Sequence, residues 1–408
     1  MREGQISNPM NVLIVDEEVP YPLNTGKRLR TYNLIRRLQE QHKITYLCYG
    51  DGITALPGCP NVDLHTLASP VIEQKGIRFY GALLGNLLSS KPYIVDRHFS
   101  ADMSKAVRRL VETGTFDLIH CEWTPYTESI RQVLPLLPSV LSAHNVEARI
   151  WERYYSAERN PLKKAYIGIQ WEKLRRYERE AGACYTEVVA VSEPDKLIFE
   201  QEYGCQRVHV VANGVDESYF SPQSRPRKPA SMVFSGSMDW RPNQDGARYF
   251  IEEILPSIRK RVPQATFTVV GRKPPTWLTD MASSAPGITV TGTVDDVRPF
   301  VAESLLYVVP LRVGGGSRLK ILEALSMEMP VLSTTVGAEG LDLVDGQDVI
   351  LRDDPSSFAE TAADMLQQPE HWSRLGKGGR RLILERYTWD SIATVMDHVW
   401  RRAVAHHA

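Results

Sequence analysis

Cysteine is scarce and dispersed in this chain. Its 408 residues include five, Cys48, Cys59, Cys121, Cys184 and Cys205, and no two of them form a Cys-x-x-Cys pair. An odd number at irregular spacing excludes a disulfide framework and a structural zinc site, and it makes a reducing cytoplasm the expected compartment. Long apolar runs are also missing. The longest are strand-sized, well short of the roughly 20 residues a membrane-spanning helix needs. Met1 to Met10 is polar, without the apolar centre of a signal peptide. Charge of one sign is missing as well: 48 basic and 49 acidic residues leave a formal net charge of -1. No nucleic-acid partner is expected from that balance.

Several catalytic signatures are absent. There is no Gly-x-x-x-x-Gly-Lys-Ser/Thr, which removes a Walker-type ATP site. The first loop lacks the Gly-x-Gly-x-x-Gly of a dinucleotide site, and no Gly-x-Ser-x-Gly elbow occurs. No His, Cys and carboxylate group has metal-ligand spacing, so no metal is expected.

What is present is an ordinary globular composition, 43% hydrophobic and 24% charged, at a length that calls for two domains. Asn11–Val15 reads as a buried parallel strand. A loop to Gly26, a helix over Lys27–Gln41 and a strand over Lys43–Cys48 follow, together a βαβ unit. The alternation continues with strands at Phe116–His120, Ser139–Ala143 and Glu187–Ser192. Helices are expected over Tyr126–Leu134, Glu147–Ala181 and Glu193–Tyr203. Asn213–Pro229, polar and interrupted by three prolines, reads as a linker. Strands then resume at Ser231–Gly236, Thr266–Gly271, Ile288–Thr291, Leu305–Pro310 and Pro330–Ser333, with helices at Gln244–Arg261, Arg318–Ser326 and Ser356–Gln367. The expected fold class is α/β twice over, two doubly wound parallel sheets facing each other across a cleft.

Open parallel sheets bind ligands at the carboxyl ends of their strands. Three such places carry chemistry here. In Pro310-Leu-Arg-Val-Gly-Gly-Gly-Ser-Arg-Leu-Lys-Ile-Leu-Glu-Ala-Leu-Ser326, an apolar strand runs into Gly314, Gly315 and Gly316, and a helix starts near Ser317. Glycines let backbone amides approach a ligand, and a helix N-terminus adds about half a positive charge. Arg318 and Lys320, on either side of Leu319, bring two full charges to the same end, the means to hold a diphosphate. Glu323, a turn further on, is placed to accept hydrogen bonds from ribose hydroxyls. A glycine turn with solvated charges would account for the glycines alone, but not for these basic and acidic offsets together.

At Asn24-Thr-Gly26-Lys27 a single glycine precedes the first helix, and both a phosphate-facing loop and an ordinary N-cap fit it. His144 ends the strand Ser139–Ala143. By residue type it is a core-edge histidine more readily than a group bonding a sugar hydroxyl. His120 reads as a core-edge histidine too. Asp295-Asp296 reads as a cap for the helix that follows. The stretch Arg159–Arg179 mixes Lys163, Lys164, Lys173, Arg175 and Arg176 with Tyr166, Trp171 and Tyr177. Its interleaved acids favour a solvated helix over one lying on anionic lipid.

These segments resemble the family 4 retaining glycosyltransferases over nearly the whole chain, Met10 to about Arg402. The matches are Val211-Ala-Asn-Gly-Val-Asp216, Phe234-Ser-Gly-Ser-Met-Asp-Trp-Arg-Pro-Asn243, Val290-Thr-Gly-Thr-Val294, the Gly314–Ser333 segment and Gly337-Ala-Glu-Gly340. The resemblance implies the GT-B fold of two Rossmann-like domains. An acceptor domain would span 1–212, completed by a C-terminal helix at 388–408, and a nucleotide-sugar domain 213–387. It implies that Glu323 binds the donor ribose, that Arg318 and Lys320 contact the diphosphate with help from Arg241, that Gly26 lies near the phosphates and that His144 lies near the transferred sugar. The family usually carries a second glutamate eight positions before Glu323. Gly315 stands there, so backbone amides of Gly315 to Ser317 would substitute.

The implied reaction is transfer of a hexose-type sugar from a nucleoside-diphosphate sugar, without metal or other cofactor. The acceptor is a glycan or lipid-linked molecule, at or near the inner face of a membrane. His144-Asn-Val-Glu147 and the helix after it are similar to enzymes of bacterial exopolysaccharide assembly. Two rivals stand beside this reading: a nucleotide-sugar epimerase or hydrolase, and a non-catalytic nucleotide-sugar-binding component of a synthesis complex.

Overall fold

The computed structural model describes residues 8–69, 76–313 and 318–407, and these divide into two compact units, 1–211 with 392–408 and 212–391. The N-terminal unit is built on a parallel sheet of seven strands. They are β1 (Asn11–Glu18), β2 (Lys43–Tyr49), β3 (Val62–Leu67), β4 (Leu118–Glu122), β5 (Ser139–Ala143), β6 (Glu187–Ala190) and β7 (Val208–Val210), in spatial order 3-2-1-4-5-6-7. The order reverses beside β1, which pairs with β2 on one side and β4 on the other. That reversal opens a crevice at the carboxyl ends of β1 and β4, where a doubly wound sheet takes its ligand.

Leu13, Val15, Leu47, Ile119 and Leu141 join one buried core under the helices, which is why these strands read as continuous apolar runs rather than alternating ones. The helix Trp389–His407 belongs to this unit from Ile392 onward. Its Asp397 is 2.8 Å from Nε2 of His42, and its His406 lies 2.6 Å from Glu187.

The C-terminal unit has a parallel sheet of six strands: β8 (Ser231–Ser235), β9 (Thr266–Val270), β10 (Ile288–Val290), β11 (Leu306–Val309), β12 (Val331–Ser333) and β13 (Ile350–Leu351), in order 10-9-8-11-12-13. Its core is built around Val233, Phe234, Phe250, Phe267, Val308 and Leu322. The reversal here lies beside β8, between β9 and β11.

Several elements differ from the sequence reading, among them three in the N-terminal unit. Glu147–Ala181 is not one helix but two, Glu147–Ala157 and Pro161–Gly182. Asn160 starts the second by accepting from Leu162 N and Lys163 N, both at 3.1 Å, with Pro161 fixing its first residue. Tyr126–Leu134 is a 3-10 turn (Thr124–Tyr126), one α turn (Thr127–Ile130) and a further 3-10 turn (Leu134–Leu136), because Pro125 and Pro135 interrupt any longer helix. β4 ends at Glu122 rather than His120, a shift of two residues that brings a carboxylate to the end of the strand.

Candidate active site

The C-terminal unit gathers its chemistry where β8 and β9 end. Gly236 follows β8 and Gly271 follows β9, and their backbones touch: a Cβ on Gly271 would lie 1.8 Å from the Gly236 carbonyl oxygen. A Cβ on Gly236 would lie 2.6 Å from Nζ of Lys320. Gly271 needs glycine because the backbone passes too closely for a side chain, and Gly236 because of its φ of 154°.

Lys320 is the second residue of the helix Leu319–Ser326. Its Nζ donates to Oδ1 of Asn243 at 2.7 Å and stands 4.2 Å from the centroid of the Phe234 ring. Burial, reinforced by the nearby Arg318 guanidinium and opposed by Glu323, pulls the ammonium down to about 7. Burial pushes Glu323, one turn later, up to about 7 against the pull of Lys320. Among the described residues no carboxylate pairs with Lys320 and no cation pairs with Glu323. The site therefore holds a cation and an acid that are both poorly solvated and both lack a full counter-charge. An anionic ligand with hydroxyl groups beside it would supply what each lacks.

Arg318 is buried at the start of that helix. Its Nη2 lies 3.4 Å from the Val336 carbonyl and 3.8 Å from the Glu339 carboxylate, tying the helix start to the turn after β12. Leu319 is half-buried beside it. Arg241 is exposed in the first turn of the helix Arg241–Tyr249, two residues before Asn243. Gly314, Gly315, Gly316 and Ser317 lie outside the described residues.

In the N-terminal unit, His144 follows directly after β5. Its Nε2 is 2.7 Å from Oε2 of Glu122, off the line of a hydrogen bond. Glu122 Oε1 lies 3.2 Å from Nε2 of His120, whose Nδ1 accepts from the indole Nε1 of Trp400 at 2.9 Å. An indole nitrogen only donates, so the bare nitrogen of His120 is Nδ1 and its Nε2–H points at Glu122. Burial disfavours the Glu122 carboxylate, but His144 and His120 outweigh it and hold Glu122 well below the usual range. A fixed anion thus stands behind His144.

Beside it, Asp16 is buried near the end of β1, with Lys27 Nζ at 2.6 Å and the Tyr46 hydroxyl donating at 2.5 Å. Gly26, exposed, is the first residue of the helix Gly26–Leu38, and Thr25 caps that helix by accepting from Arg28 N at 3.3 Å. Lys27, next to Gly26, also reaches Glu17 at 3.1 Å and lies 5.6 Å from the Trp123 ring.

Trp123 has φ 118°, a conformation costing an ordinary residue about 1–3 kcal/mol. Its indole donates to Glu147 at 2.9 Å. Glu147 opens the helix after His144, and the buried Glu178 accepts from the amides of Glu147 (2.8 Å) and Ala148 (3.1 Å) and from the Tyr203 hydroxyl (3.0 Å). The segment carrying His144 is thus held at both ends, by β5 and by a helix whose first amides bond the buried Glu178 side chain.

The structure therefore brings Lys320 and Glu323 together, with Arg318 beside them, and places His144 against the buried Glu122 in the other unit. Asp296 accepts from Arg298 N at 2.9 Å and pairs with its guanidinium at 2.8 Å, although Val297 holds the capping position. Sequence reasoning gave no individual role to Asn243, Phe234 or Lys27, quoted only inside motifs, nor to Asp16 and Glu122. Glu122 was within reach, since a carboxylate two residues after His120 on a strand shares its face. Asn243 was not, because its role depends on a helix 77 positions away.

Two family profiles match the chain. The one described as Glycosyltransferase Family 4 covers residues 26–219, and the one described as Glycosyl transferases group 1 covers 229–368. The chain is 19% identical to an uncharacterized 44.6 kDa protein in the cps region of Klebsiella pneumoniae, over 86% of this chain and 89% of that one. It is 24% identical to the MMP alpha-(1->4)-mannosyltransferase of Mycolicibacterium hassiacum, over 72% of each. Among solved structures, Anabaena Alr3699/HepE in complex with UDP and glucose superposes with a TM-score of 0.63 at 12% identity, covering 95% of this chain and 98% of that one. The chain belongs to the family 4 glycosyltransferases and has their GT-B fold.

Proposed function

We propose that the chain transfers a hexose-type sugar from a nucleoside-diphosphate sugar to a glycan or lipid-linked acceptor, with retention at the anomeric carbon, in assembly of a bacterial polysaccharide. The observation that carries this reading is the poorly compensated pair Lys320 and Glu323 near the carboxyl end of β8, the strand beside which the sheet order reverses, with Asn243, Phe234 and the close crossing of Gly236 and Gly271 against Lys320. In this reading Lys320 and Arg318 face the diphosphate, Glu323 accepts from the ribose hydroxyls, Arg241 and the Gly314–Ser317 amides add phosphate contacts, and Leu319 at the helix start belongs to the donor site with them. His144, backed by Glu122, bonds the transferred sugar, and the Gly26 turn serves the phosphates. The UDP in the Anabaena structure supports a nucleotide donor, and the cps-region relative supports a polysaccharide pathway.

The bond from the anomeric carbon to the diphosphate oxygen breaks, and positive charge spreads over the ring. The acceptor oxygen bonds that carbon from the face the leaving group vacates. The acceptor's proton passes to a diphosphate oxygen, so no side-chain nucleophile is required. Lys320 and Arg318 supply the countercharge for the departing diphosphate, which is where electrostatic stabilisation contributes most.

Lys320→Ala is expected to cut turnover by about two to three orders of magnitude while the protein stays folded by circular dichroism. Wild-type turnover in that variant would reject the assignment. Donor incubated without acceptor separates transfer from epimerisation and hydrolysis, and the anomeric coupling constant of the product tests retention.

A further inference from the structure

The helix Ile77–Asn86 and the turn after it carry an apolar stripe on the outside of the N-terminal unit. Tyr80, Leu84, Leu87 and Leu88 fall at i, i+4, i+7 and i+8, one helical face. They are 64%, 67%, 38% and 94% exposed. The bonds Leu87 N to Leu84 O and Leu88 N to Gly85 O, both 3.1 Å, carry the helical path through Leu88. Single exposed leucines are unremarkable on any protein surface, but four large apolar side chains within nine residues need a partner.

The stripe is anchored. Buried Asn86 accepts from Gln170 at 2.8 Å and, through its backbone carbonyl, from Lys173 Nζ at 2.6 Å. Its own amide donates to Asp96 at 2.6 Å. This fixes the end of the apolar helix against the helix Pro161–Gly182. Where they meet lies an open cleft of about 630 Å³, with Ser89 and Ser90 on one side and Ile169, Trp171, Lys173 and Arg176 on the other.

Charge identifies the occupant. The acid at this cleft, Glu172, is already paired with Arg175 at 3.1 Å. Lys164 and Arg176 have no carboxylate partner among the described residues, while the Lys173 ammonium is taken by the Asn86 carbonyl. Lys164 lies 4.9 Å from the Tyr155 ring, and Tyr155 packs on Trp171 at 5.6 Å. Exposed leucines, flanked by aromatics and rimmed by unpaired cations, match the layered chemistry of an anionic bilayer: acyl chains, then the interface, then phosphates. The sequence reading favoured a solvated helix for Arg159–Arg179 on its interleaved acids; the leucine stripe adjoins that helix only in the folded unit.

We propose that this face docks on the surface of an anionic lipid bilayer, with Leu84 and Leu88 entering the headgroup–acyl boundary and Lys164 and Arg176 set against lipid phosphates. The inference rests on the proposed lipid-linked acceptor only in sharpening where it is met. Its test reads binding, not transfer, so the two can fail separately.

The test is flotation of the full chain with vesicles of phosphatidylcholine alone or of phosphatidylcholine and phosphatidylglycerol in equal parts. The protein is expected to float with the mixed vesicles, to be released by high salt and to stay down with phosphatidylcholine. The double variant Leu84→Glu/Leu88→Glu should lose flotation with an unchanged melting temperature. Lys164→Ala/Arg176→Ala should weaken partitioning roughly 25-fold, since each basic side chain near an anionic surface contributes roughly fivefold. Leu136→Glu, an exposed leucine outside this face, should float like wild type. Wild type that does not float with mixed vesicles, or a Leu84→Glu/Leu88→Glu protein that still does, overturns the proposal. So does a wild-type dimer, seen by light scattering, that the double variant dissolves without any lipid binding.

Discussion

Binding of the nucleotide product should move protons, and the direction should reverse with pH. Lys320 and Glu323 are both brought to about 7 in the free protein, from 10.5 and 4.5 respectively. At pH 8 Lys320 is then about one-tenth charged and Glu323 about nine-tenths ionised. A diphosphate beside Lys320 favours the ammonium, and ribose hydroxyls donating to Glu323 favour the carboxylate. Binding at pH 8 should therefore take up about 0.8 proton, the Lys320 uptake less the small Glu323 release. Near pH 7 the two cancel, and near pH 6 release should dominate.

The assay is isothermal titration with UDP, GDP or ADP, whichever binds, in buffers of differing ionisation enthalpy, where the slope of observed heat counts protons. A terminal phosphate itself titrates at about pH 6, so the pH 8 measurement is the decisive one. Lys320→Met, similar in volume and uncharged, should abolish the uptake. No uptake at pH 8, or the same uptake in Lys320→Met, would refute the reasoning.

The same two groups govern stability of the free protein. Between pH 4.5 and 7 the unfolded chain sheds the Glu323 proton that the fold retains, so stability falls as pH rises. Between pH 7 and 10.5 the unfolded chain holds the Lys320 proton that the fold has lost, so stability rises with pH. Their joint contribution has its minimum near pH 7, and Lys320→Met should flatten the alkaline limb of a melting-temperature profile. Glu122→Gln removes the anion behind His144 and should lower kcat by about a hundredfold, the scale of one positioned electrostatic group, with nucleotide affinity unchanged. A loss in nucleotide affinity alone would place Glu122 elsewhere in the reaction. Gly271→Ala drives a methyl group into the Gly236 carbonyl and should cost about 1–3 kcal/mol. In a unit of this size that is a drop of about 2–12 °C in melting temperature, and an unchanged melting temperature would contradict the close approach.

Both sheets and most of their strands were legible in the chain because buried parallel strands advertise themselves as short unbroken apolar runs between polar loops. The strands that escaped, Val62–Leu67, Val208–Val210 and Ile350–Leu351, are short or carry mixed polarity, and sheet pairing rather than pattern makes them strands. Lys320 and Glu323 were legible because helical spacing puts i and i+3 side by side on the page as in the fold. Their electrostatic state was not, since the burial that brings both to about 7 is built by residues from elsewhere in the sequence, Phe234, Asn243 and Gly236 packing against Lys320 among them.

His144 shows the same division. Its place at a strand end follows from the local pattern. Its anion at Glu122, the tautomer of His120 and the indole of Trp400 that sets it are joined across 280 positions by folding alone. Local sequence determines which residues form strands and helices, because those forces act within a few positions. Burial, and with it charge state and pairing, is a property of the whole packed unit, and only the tertiary structure decided it.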